Sequence, residues 1–152
     1  MMRLALGNDH RGYDLKNKVA AYLTANGHSA QDMGCYSTDS ADYPDFASAV
    51  ALSVASGKAD LGILICASGI GMSIAANKFD GIRAALCCSP ELARRSRLHN
   101  NANVLCLGAD FIDHREAIEA VGLFISTAFE GGRHQRRLDI IRKIESAQLD
   151  NK

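Results

Sequence analysis

A chain of 152 residues with 17 Lys and Arg against 17 Asp and Glu is long enough for one domain with a real core, and it lacks the basic surplus that would argue for nucleic acid or an anionic membrane. No apolar run reaches the ~20 residues that span a bilayer, and the amino end reads directly as a strand rather than as a signal peptide. Cys35, Cys66, Cys87, Cys88 and Cys106 form an odd set with no Cys-x-x-Cys pair, which predicts reduced thiols of a cytoplasmic protein rather than a disulfide framework or a zinc site.

From the amino end, residues 3–7 read as a first strand and residues 13–26 as an amphipathic helix closed by Gly27. A short second strand covers 29–33. Residues 43–56 read as a helix, with Pro44 suited to its first turn and Gly57 just past its end. A third strand, 61–66, leads into a helix over 70–78. Strand four covers 84–87, and Ser89-Pro90-Glu91 then opens a helix as N-cap, first-position proline and first-turn acid. That helix ends near His99-Asn100. Strand five covers 103–107 and a helix follows over 114–128; Gly131-Gly132 breaks the chain before a last helix over 133–147. Short apolar strands alternating with helices predict an α/β protein with a five-stranded parallel sheet covered on both faces. With no repeat or linker in view, residues 1–152 read as one domain.

Cys66-Ala67-Ser68-Gly69-Ile70-Gly71 carries the chemistry. It places a thiol and a hydroxyl at the carboxyl end of a strand, where open α/β sheets bind ligands. Backbone N–H groups at such a turn favour negative charge, and glycines let a ligand approach the backbone closely. A buried cysteine is more often a structural one, and the glycines could instead relieve helix–strand crowding. The dinucleotide fingerprint is absent, because Ile74 stands where its third glycine would fall. Cys88 and Arg94 have the Cys-x5-Arg spacing of phosphatase loops, but no glycine lies between them and Glu91 does; helix capping explains these residues better. Asp9-His10 follows strand one at the same carboxyl edge, either as turn residues or as ligand contacts. His99 is a C-terminal helix residue or a general acid/base. Arg133 and Arg137 share a helix face, as a solvated basic stripe or as a phosphate clamp.

Asn8-Asp9-His10-Arg11-Gly12, Asp42-Tyr43-Pro44, the run from Cys66 to Lys78, Gly81-Ile82-Arg83-Ala84, His99-Asn100 with Ala102-Asn103-Val104-Leu105, and Phe129-Glu130-Gly131-Gly132-Arg133-His134 with Arg137 fit one pattern. Over almost its whole length the chain resembles the ribose-5-phosphate isomerase B / galactose-6-phosphate isomerase family. The resemblance implies a three-layer α/β/α fold and an enzyme that interconverts an aldose and a ketose phosphate through an enediolate. The expected substrate is ribose 5-phosphate or a related sugar, with no metal or organic cofactor. It also implies a homodimer or dimer of dimers, with active sites built from both subunits and the last helix at the interface.

Position by position, it implies Cys66 as the base that moves a proton between C1 and C2. Ser68 and the amides of Gly69, Ile70 and Gly71 are implied to stabilise the enediolate, and His99 to open the sugar ring. Asp9 and Asn100 would hold sugar hydroxyls and Tyr43 would lie near the sugar, while His10, Arg133 and Arg137 would bind phosphate. The alternatives are an isomerase of a different or unphosphorylated sugar and a non-catalytic sugar-phosphate-binding subunit. Two positions depart from the family pattern. Ala67 replaces a glycine, and Asp110 stands where an arginine often binds phosphate, so Asp110 is expected to repel a phosphate group.

Overall fold

In a computed structural model, which describes residues 1–149, the elements follow the sequence closely. The strands are β1 (Arg3–Asn8), β2 (Ser29–Asp32), β3 (Leu61–Cys66), β4 (Ala84–Leu86) and β5 (Val104–Gly108). The helices are α1 (Tyr13–Ala25), α2 (Tyr43–Ala55), α3 (Ile70–Ala76), α4 (Pro90–Asn100), α5 (His114–Ser126) and α6 (Arg133–Leu149), and a single 3-10 turn covers His10–Gly12. All strand pairings are parallel, in the order β2-β1-β3-β5-β4.

Strand periodicity divides the core in two. Leu4 and Leu6, Ile63 and Ile65, and Leu105 and Leu107 face a cluster completed by Leu15, Val19 and Leu23 of α1, Ala93 of α4 and Phe124 of α5. Ala5, Leu64, Cys66, Val104 and Cys106 face the other way, onto Ala47, Val50 and Ala51 of α2 and Met72 and Ala76 of α3. This is the expected three-layer α/β/α arrangement. The central strand β3 is buried along its whole length, as a parallel strand covered on both faces must be.

One expectation needs correction: the strands are not all apolar. β2 reads Ser-Ala-Gln-Asp and is largely exposed. It pairs with β1 alone, and a polar edge strand resists pairing with another chain. A fully buried side chain, Lys16 of α1, pins it by an ion pair to Asp32, with its ammonium 5.5 Å from the centroids of both Tyr13 and Tyr36.

Helix signals act where they were read. The Ser89 hydroxyl accepts from the Leu92 N–H at 3.3 Å at the start of α4. Helix α3 stops two residues before its expected end, because the Asn77 side chain turns to bond both the N–H and the C=O of Ala84, at 2.8 and 2.9 Å. Helix α6 is the outlier: His134 is its only buried residue, while Ile140, Ile141, Ile144 and Leu149 are exposed. Among the described residues no helix is long and apolar enough to cross a membrane.

Candidate active site

The strand order puts β1 between β2 and β3, so the chain leaves β1 to one side and later returns on the other. Parallel sheets bind ligands in the crevice at the carboxyl ends of two such strands. Here those ends are Asn8-Asp9-His10 and Cys66-Ala67-Ser68, joined by the Asp9 N–H donating to the Ile65 carbonyl at 3.1 Å.

Cys66 closes β3 with its side chain on the α2/α3 face, nearly buried. The chain then turns sharply through Gly69, at φ +75° and ψ −13°, a conformation that glycine adopts at little cost. A Cβ there would come within 2.5 Å of Leu86 Cδ1 and 2.9 Å of the Leu107 carbonyl carbon, so the turn has no room for one. Its reward is a hydrogen bond from the Gly69 N–H to Cys66 Sγ at 3.1 Å. Such a bond strengthens as the sulfur gains negative charge. The Ile70 N–H donates to Ser68 Oγ at 3.3 Å. The Gly69 and Ile70 amides, expected to face an oxyanion, are therefore engaged within the loop, on the thiol and on the hydroxyl. Gly71 has a second role: a Cβ there would sit 2.6 Å from Tyr43 Cζ, so the missing side chain lets the tyrosine ring lie against the start of α3.

The other cysteines have different surroundings. Burial raises the Cys106 thiol well above its usual range, and burial pushes Cys87 up to about 11. Cys88 is exposed, and the arginine that would complete a phosphatase loop is spent elsewhere, since Arg94 Nε lies 2.8 Å from Glu91.

Asp9 and His10 are both shaped by turns. Asp9 Oδ1 accepts from the N–H groups of Arg11 and Gly12, at 2.9 and 3.1 Å, and caps the 3-10 turn. His10 Nδ1 accepts from the Ala41 N–H at 3.2 Å, which places the ring proton on Nε2. Asp110 is not the lone carboxylate expected. Arg11 Nη2 pairs with it at 2.8 Å, so its charge is matched by a guanidinium at this edge.

His99, Asn100, Arg133 and Arg137 do not join this group. β3 and β5 run parallel with Gly62 opposite Val104 and Cys66 opposite Gly108. α4 ends just before β5 begins, and the Asn103 carbonyl accepts from the Gly62 N–H at 2.9 Å. His99 and Asn100 therefore lie at the amino end of the sheet, separated from Cys66 by about 13 Å of strand at ~3.3 Å per residue. The Glu130 N–H bonds the Leu98 carbonyl at 3.0 Å and fixes the start of α6 at the same end. Arg133 and Arg137 are exposed there, without an ion-pair partner among the described residues. Asn100 lines a cavity of about 430 Å³ between Arg83, Ala84 and the α6 residues Leu138, Ile141 and Ile144.

This end holds two residues that carried no assigned role. The His134 ring stacks on that of His99, with centroids 4.4 Å apart and planes 16° from parallel. Glu130 Oε2 lies 3.3 Å from His134 Nε2 and 3.8 Å from His99 Nε2. The four-residue spacing of Glu130 and His134 was visible in the sequence; their convergence on His99 depends on the loop before α6 and was not.

A doubly covered parallel sheet with a thiol, an N–H donor and a hydroxyl at its switch point belongs to the α/β enzymes that act on small molecules at that edge. Residues 4–141 match the Ribose/Galactose Isomerase family model, and the chain belongs to that family. It is 46% identical to ribose-5-phosphate isomerase B of Escherichia coli over 145 residues, covering 95% of this chain and 97% of that protein. The ribose-5-phosphate isomerase B structure from Clostridium thermocellum superposes with a TM-score of 0.95 at 44% identity, covering 97% of this chain and 99% of that one. The Mycoplasma genitalium ribose-5-phosphate isomerase B structure, with bound ribulose 5-phosphate, gives 0.90 at 43% identity, covering 95% and 96%.

Proposed function

We propose that this protein is an aldose–ketose isomerase that interconverts ribose 5-phosphate and ribulose 5-phosphate. The observation that carries the reading is the Cys66 thiol at the switch-point crevice with the Gly69 N–H 3.1 Å from its sulfur. Its family membership and its likeness to a ribulose 5-phosphate-bound relative support the same substrate.

Isomerisation begins with a closed sugar. Opening it breaks C1–O4, delivers a proton to O4, removes one from O1 and leaves a C1 carbonyl; His99 is the acid/base for this step. Cys66, as thiolate, then takes the C2 proton. The electron pair forms an enediolate with negative charge at O1, next to Ser68 and the loop. Return of the proton to C1, with transfer of the O2 proton to O1, leaves the ketose. Asp9 offers Oδ2 to a sugar hydroxyl because Oδ1 caps the turn. Tyr43 covers the sugar and Asn100 holds a further hydroxyl. His10 offers its Nε2–H to the phosphate, and Arg133 and Arg137 supply its charge partners.

Both Cys66 and His99 act at C1, yet within one chain they belong to opposite ends of β3. A second copy that brings His99, Asn100, Arg133 and Arg137 to the Cys66 end resolves this, and the reading therefore includes a homodimer or dimer of dimers. Two apolar faces support it: Ile140, Ile141 and Ile144 on α6, and Ile70, Leu86 and Phe111 around the Cys66 end, all exposed in the single chain. In this reading residues 1–152 form one domain with α6 at the dimer interface. With five free cysteines the site of action is the cytoplasm.

The test is turnover by the purified protein of ribose 5-phosphate, hexose 6-phosphates and free ribose. Ribose 5-phosphate with the highest kcat/KM supports the assignment. Preference for a hexose phosphate or a free sugar overturns the substrate, and no turnover of any of them overturns the enzyme.

A further inference from the structure

Glu130 and His134 stand behind His99 and have no part in the steps above. His134 is buried, 5% exposed, and its ring covers one face of His99, whose side chain remains about one-third exposed. Its Nε2 is buried without a hydrogen bond of good geometry, 3.3 Å from Glu130 Oε2. The same carboxylate oxygen is 3.8 Å from His99 Nε2, and the Glu130 backbone is tied to the end of α4 through the Leu98 carbonyl. One carboxylate thus serves two rings.

The arrangement suits proton handling better than metal binding. Ring nitrogens bind metals in the plane of the ring, and two stacked, nearly parallel rings cannot both point their lone pairs at one ion. A single carboxylate, Glu130, faces both stacked rings. The buried ring also blocks rotation of His99 towards the core, leaving its open face for a ligand.

We propose that Glu130 and His134 are positioning residues for His99: the stack fixes its ring orientation, and the shared carboxylate holds the proton that the ring takes up and returns during ring opening. This inference rests on the ring-opening role assigned to His99 above.

The test compares two substrates. Ribose 5-phosphate must be opened before it reacts. Erythrose 4-phosphate cannot close a five-membered ring because its O4 carries the phosphate. Glu130→Gln changes an exposed side chain, and its fold is checked by circular dichroism and thermal melting against the parent; His134→Ala removes the stack. The expected result is a fall of about tenfold or more in kcat on ribose 5-phosphate for each variant, with erythrose 4-phosphate within about twofold of the parent. A parallel fall on both substrates, or no fall on either, overturns the positioning role. His99→Asn separates the two levels of inference. If it discriminates between the substrates and Glu130→Gln does not, only the positioning role fails. If His99→Asn itself does not discriminate, the ring-opening assignment fails and this inference falls with it.

Discussion

The two ends of the sheet are built from different materials. At the carboxyl end, the proposed site consists of main chain and compact side chains: a thiol, a hydroxyl, two amides and a tyrosine laid on a glycine. These groups are fixed by strand register and by a turn with no room for a Cβ at Gly69. At the amino end, the proposed site consists of side chains displayed from helix termini, His99, Asn100, Arg133 and Arg137, with His99 stacked on His134 and one loop hydrogen bond behind it. The first construction suits proton transfer at carbon, where a displacement of about 1 Å can cost 10²-fold in rate. The second suits recognition of charge, which tolerates motion. A site assembled from both has a rigid chemical half and an adaptable binding half.

The largest effect should come from the rigid half. Cys66→Ala should lower kcat on ribose 5-phosphate by about 10²–10⁴-fold or more, as for loss of a general base, with thermal stability and substrate binding nearly unchanged. Retention of more than about a tenth of the parent kcat would remove Cys66 from the reaction.

The adaptable half should fail in binding instead. An Arg–phosphate bond is worth about 1.5–3 kcal/mol, so Arg137→Ala should raise KM for ribose 5-phosphate roughly 10- to 100-fold while kcat changes much less. Steady-state kinetics at fixed ionic strength reads this directly. A loss confined to kcat would contradict the division between the two ends.

How far the sequence disclosed these two halves differs in the same way. Leu61 to Cys66 followed by Ser68, Gly69 and Gly71 was legible because strand, turn and ligand edge are local, and the structure returns the strand with its expected bounds. The α4 cap at Ser89 was equally local. The polar edge strand β2 was less so, since its stability comes from β1 and from Lys16, buried in another element. Least legible were contacts between residues far apart in the chain. Arg11 meets Asp110 across a separation of 99 positions, which turned an apparent repulsive charge into half of an ion pair. That His99 and Cys66 lie at opposite ends of the sheet follows from the parallel pairing of β3 with β5, which the alternation of strands and helices already implied.

The Arg11–Asp110 pair is a half-exposed ion pair at the carboxyl end, and its effect should be the smallest. Asp110→Asn would leave Arg11 with an unbalanced charge near His10. Both side chains are about half exposed, so screening limits the consequence to a two- to threefold fall in KM for ribose 5-phosphate at low salt, vanishing as salt is raised. An unchanged KM at low salt would place the pair outside the field of the phosphate.

The central claim is that each active site joins the Cys66 end of one copy to the His99 end of another, and mixing two inactive variants tests it. Cys66→Ala and His99→Asn subunits, co-expressed and purified together, should form mixed dimers in which one site carries both substitutions and the other carries neither. With random pairing the mixture should recover about a quarter of the parent activity towards ribose 5-phosphate, far above either variant alone. Activity no higher than that of the separate variants, in a sample shown to contain mixed dimers, would contradict a site shared between copies.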